Sequence, residues 1–113
     1  MIGTQMNIIN LLNDMIAVYR KHGWELKTAL LRPENISVSH DISLGNAEIR
    51  ESEINALWFS RPSHNAAEAW ELRLVAETPY ALFERIDVNE SEERRSEVLR
   101  KVEQRLREYV TSS

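Results

Sequence analysis

Cysteine is absent from the chain, which excludes disulfides, thiolate chemistry and zinc sites built on cysteine, and suits a reducing compartment. Glycine is scarce: Gly3, Gly23 and Gly45 are the three in 113 residues. A backbone that cradles a nucleotide needs glycines for close approach to the phosphates, so no phosphate loop is expected. Neither a Gly-x-Ser-x-Gly elbow nor a His-Glu-x-x-His zinc helix occurs. No apolar run approaches the ~20 residues that span a bilayer. Residues 1–10, MIGTQMNIIN, have neither the basic start nor the small-residue cleavage site of a signal peptide. The reading is a soluble, cytoplasmic protein with no membrane association, no metal and no cofactor.

Positive charge is outnumbered, with 14 Lys and Arg against 18 Asp and Glu and a net charge of −4. That balance disfavours a protein that holds nucleic acid by its phosphates. Arg61, Arg73 and Arg85 do interleave with Phe59 and Phe83, the pattern of a base-stacking sheet, but Glu71, Glu77 and Glu84 stand among them and would repel phosphates.

What is present is a run of alternating segments. In residues 70–76, Trp70, Leu72, Leu74 and Ala76 share one parity against Glu71, Arg73 and Glu77, the period of a half-buried strand. Residues 54–61 are apolar on both parities, with Ile54, Ala56 and Trp58 against Leu57 and Phe59, which predicts a central strand covered on each side. Residues 80–86 form a third strand of mixed character. Residues 24–32 alternate as Trp24, Leu26, Thr28 and Leu30 against Glu25, Lys27, Ala29 and Leu31, and end at Pro33.

Helices are expected at both ends. Over residues 5–22, Ile8, Leu12, Met15, Ile16 and Tyr19 recur at helical spacing, and Gly23 sits where a left-handed cap residue belongs. After Asn89, read as an N-cap with Glu92 at the third position, Val98, Leu99, Val102, Leu106, Tyr109 and Val110 make the last apolar stripe. Glu97 with Lys101 and Glu103 with Arg107 are spaced as solvent-facing ion pairs. Residues 33–52 fit no long period. A short helical turn is expected near residues 33–40, followed by a loop fit for a lid or a recognition surface.

With no internal repeat or low-complexity tract, residues 1–113 are read as a single domain. The fold class is α+β: a two-layer sandwich with an antiparallel sheet of about four strands and both terminal helices on one face, in the order α-β-loop-β-β-β-α.

No motif carries a specific chemistry, so the leading reading is a non-catalytic protein-interaction module of the chaperone, adaptor or immunity type. It is expected to be a homodimer, with a further protein as possible partner. Its expected interface is the second sheet face, where Leu57, Phe59 and Phe83 mix with Glu71, Arg73 and Arg85. The competing reading is a ligand-binding or enzymatic domain with an aromatic pocket formed by Trp58, Arg61, His64 and Trp70, suited to a small organic anion. Convergence of Arg61, His64 and the loop residues Glu48, Arg50 and Glu51 on one cavity would favour it.

Overall fold

The computed structural model describes residues 4–37 and 39–112. The chain begins with helix α1 (Thr4–Lys21), whose buried Leu12, Met15 and Ile16 are the spaced residues of its stripe. Gly23, at φ +86°, ends it. The Trp24 N–H donates to the Tyr19 carbonyl at 3.0 Å and the Gly23 N–H to that of Arg20 at 3.0 Å. These two bonds are a Schellman motif, and its usual apolar contact is the Tyr19 and Trp24 rings meeting edge to face. One glycine thus turns the chain directly into strand β1 (Glu25–Leu31).

Five strands form the sheet: β1, β2 (Glu48–Glu51), β3 (Ala56–Pro62), β4 (Ala67–Leu74) and β5 (Ala81–Asp87), in the order β2-β1-β3-β4-β5. Every neighbouring pair is antiparallel except β1 with β2. The fold is therefore α+β, with one strand more than the alternation predicts. The extra strand lies in the segment read as a loop. After the extended Arg32, Pro33 opens the short helix α2 (Pro33–Ile36), a 3₁₀ turn follows at Ser39–Asp41, and the chain returns as β2 parallel to β1. β2 has four residues, all exposed, so it has no alternation to read. Asn13 on α1 holds the crossover, donating to the Asp41 carbonyl at 3.1 Å and accepting from the Ser43 N–H at 2.8 Å.

The two long helices lie on opposite faces of the sheet, not together on one. α1 packs with Leu26, Ala29, Leu31, Leu57 and Phe59. Helix α3 (Glu92–Ser112) packs through Val102 and Leu106 with Leu30, Ala56, Trp58 and Leu72. The doubly apolar parity of β3 is the reason, since Leu57 and Phe59 need one helix and Ala56 and Trp58 the other. β1 feeds both layers in a way its alternation does not show. Its pairing with β3 slips between Leu26 and Thr28, a β-bulge that reverses the parity of everything beyond it. Leu26 therefore shares the α1 face with Ala29 and Leu31, while Leu30 faces α3.

The N-cap of α3 is Ser91, not Asn89: its Oγ accepts the Arg94 N–H at 3.1 Å. Asn89 instead gives its own N–H to Asp87 Oδ1 at 2.8 Å, closing the turn before the helix. Among the described residues no helix is long and apolar enough to cross a membrane.

Candidate functional site

Glu103 sits four residues after Leu99 and three before Leu106, inside the apolar stripe of α3, and is only 6% exposed. It does not reach Arg107 along the helix surface, as its spacing suggests. Its carboxylate turns down to the sheet, where Oε2 accepts Arg50 Nη2 at 2.6 Å and Trp58 Nε1 at 2.7 Å, and Oε1 accepts Arg50 Nη1 at 3.4 Å. A carboxylate removed from water needs such donors. Here the two-pronged guanidinium comes from the short edge strand β2 and the indole N–H from the central strand β3, so one side chain ties α3 to two strands.

Two clefts flank this contact, and both are lined by Arg50 and Glu103. The larger, of about 740 Å³, opens toward Arg32, Glu51, Glu53 and Arg107. The smaller, of about 320 Å³, lies over the sheet between β1 and the start of α3, against Trp58 and Trp70. Those two indoles meet edge to face with centroids 5.9 Å apart.

On the other face the polar contact is of another kind. Tyr19 of α1 stacks on Phe59 with centroids 4.0 Å apart and planes 8° from parallel, and its hydroxyl donates to the Glu71 carboxylate. Burial pushes the phenol pKa well above its ordinary value. The hydrogen bond to Glu71 and that group's negative charge push the same way, against a smaller opposing effect from Arg73. A cleft of about 460 Å³ lies beside it, bounded by Val18, Trp24 and Arg61. The Arg61 guanidinium sits 4.5 Å from the Trp24 ring centroid and donates to the His22 carbonyl at 3.0 Å.

The expected pocket of Trp58, Arg61, His64 and Trp70 is therefore not assembled. Trp58 and Trp70 face α3, whereas Arg61 lies on the α1 side, because it is three positions along the strand from Trp58 and side chains alternate faces. His64 is in the β3–β4 turn and contributes its carbonyl to Arg85 at 3.0 Å. Of the loop residues, Glu48 and Arg50 do reach the Trp58–Trp70 cleft, while Glu51 reaches the larger one. The residue whose role differs most from its expected one is Glu103, buried on Arg50 and Trp58 and not solvent-facing with Arg107. Its signal was a carboxylate in register with Leu99 and Leu106.

The expected interface set is also divided. Leu57 and Phe59 are fully buried beneath α1 and offer no surface, since α1 covers the face they were expected to leave open. Glu71 is held by Tyr19. Arg73, Phe83 and Arg85 remain at the part of that face nearest β5. Phe83 is 54% exposed, and Arg73 buries Nη1 with no hydrogen-bond acceptor among the described residues.

Among the described residues no group of three or more His, Asp or Glu side chains is placed to hold a metal ion. No protein family, curated protein or solved structure matches the chain.

Proposed function

We propose that the chain is a non-catalytic protein-interaction module that pairs as a homodimer through the part of the sheet face that α1 leaves open on β4 and β5. The observation carrying this reading is the strip of Arg73, Phe83 and Arg85. A phenylalanine more than half exposed in mid-strand shares one sheet face with Arg73 and Arg85. A large exposed ring flanked by arginines has the make-up of a contact surface. In a two-fold arrangement, Glu71 of one copy keeps its bond to Tyr19 through Oε2 and offers Oε1 to Arg73 or Arg85 of the other, which makes the patch complementary to itself.

The polar groups elsewhere support a non-catalytic role, because the buried carboxylate of Glu103 and the phenol of Tyr19 are both spent on fastening helices to the sheet. The lack of cysteine supports a reducing, cytoplasmic setting. Chaperones, adaptors and immunity proteins share this size and charge, and a second protein bound by the same dimer fits the reading by analogy alone.

Light scattering on the purified chain at tens of micromolar tests it. The wild type is expected at twice the monomer mass and Phe83→Asp at the monomer mass, with the same far-ultraviolet circular dichroism. A monomeric wild type overturns the dimer.

A further inference from the structure

The smaller cleft beside Glu103 is built differently from the open strip, and it argues for a ligand rather than a protein. Its floor is aromatic: Trp58 is buried with its N–H committed to Glu103, and the half-buried Trp70 ring stands edge to face against it. Its rim is cationic. The bulge in β1 places Lys27 there, Arg50 leans in from β2, and Arg100 descends from α3. Against these three stand two carboxylates, Glu48 and Glu103, a local excess of positive charge in a chain of net charge −4.

The cations are not equivalent. Arg50 is occupied by Glu103, and Lys27 lies 3.2 Å from Glu25. Arg100 makes no hydrogen bond or ion pair among the described residues, although Glu97 lies one turn away and pairs instead with Arg94 and Lys101. An unengaged guanidinium that lines one cleft with Trp70 and with the Arg50–Glu103 pair matches a flat ring that carries one negative group. The volume, about 320 Å³, is at the small end for ligand sites and suits one or two rings.

We propose that this cleft binds a small planar aromatic carboxylate, its ring against Trp70 and its carboxylate on Arg100. The site is separate from the Arg73, Phe83 and Arg85 strip, so it stands or falls independently of the dimer.

The chain has three tryptophans, and they divide usefully: Trp58 and Trp70 line the cleft, while Trp24 lies on the opposite face. Titration with 1-naphthoate, followed by the three indole N–H signals in ¹H–¹⁵N spectra, is the test. The Trp70 signal is expected to move saturably while that of Trp24 stays still. Binding is expected to weaken about tenfold both for the neutral 1-naphthamide and in Arg100→Gln. Arg100 is exposed, so that variant keeps the fold, and an unchanged spectrum in the absence of naphthoate verifies it. No saturable shift at several millimolar naphthoate overturns the proposal. So does equal binding of the amide, or a response at Trp24 in place of Trp70. Repeating the titration in Phe83→Asp keeps the outcome apart from that of the dimer.

Discussion

α1 and α3 cover opposite faces of one sheet, and each carries one polar group down to it. On α3 the group is a carboxylate, 6% exposed, that receives a guanidinium and an indole N–H from two strands. On α1 it is a phenol that gives its proton to a carboxylate on β4 while its ring stacks on Phe59. The first contact is charged and indispensable once made, because removing a donor leaves a buried anion poorly compensated. The second adds a neutral donor to a surface already held by Leu12, Met15 and Ile16. Similar geometry therefore implies different consequences for the two helices, and substitutions can separate them.

Arg50→Ala is expected to produce the largest loss. A fully buried pair broken on one side costs about 3–5 kcal/mol. Arg50 is half exposed, and solvent screening lowers the expectation to about 2–3 kcal/mol, read from urea unfolding. The triple variant Arg50→Met, Trp58→Phe and Glu103→Leu should recover most of it, since apolar groups there leave neither a charge nor the Trp58 indole N–H to satisfy. If the triple variant is no more stable than Arg50→Ala, the contrast between the helices is not one of buried charge.

Trp58→Phe keeps most of the apolar burial and the Arg50 contact but removes one donor from Glu103, with an expected cost of about 1–2 kcal/mol. Tyr19→Phe keeps the stack on Phe59 and removes the hydroxyl, at about 1 kcal/mol near neutral pH. Its pH dependence sharpens the comparison. The folded pKa of Tyr19 lies above the unfolded value, so the proton is held more tightly in the folded chain. That stabilisation is complete below about pH 10 and is lost as pH rises through the folded pKa. Urea midpoints of the wild type and Tyr19→Phe should therefore converge at alkaline pH, whereas a gap that stays constant removes the hydroxyl from the account.

The smallest expected effect is a gain, at a site that touches neither helix. Ala66, in the β3–β4 turn, adopts φ +57°, a conformation that costs a Cβ-bearing residue energy and glycine almost none. Ala66→Gly should stabilise by about 0.5 kcal/mol, with melting temperature as the readout, and should add independently to each of the variants above.

Much of this was readable in advance where the periodicity was local. The doubly apolar parity of residues 56–59 identified the central strand, and Gly23 the end of α1. Both depend on one stretch of chain and its immediate neighbours. Three features were not readable. β2 is a short exposed edge strand, and such a strand carries no hydrophobic alternation. The bulge after Leu26 belongs to a pairing, and a single strand holds no record of its partner's register. Glu103 resembled a solvated member of an i,i+4 pair because the donors that bury it, Arg50 and Trp58, lie 53 and 45 residues away in sequence.

The amino-acid sequence alone determined that this is an α+β domain with a helix at each end and a sheet core between, because helix and strand periods are properties of consecutive residues. Tertiary structure decided which face each helix covers, which tryptophans share a cleft, and which carboxylate is buried. Those outcomes depend on the pairing of distant segments, and the free energy of a buried charge is set by the groups that the fold brings around it.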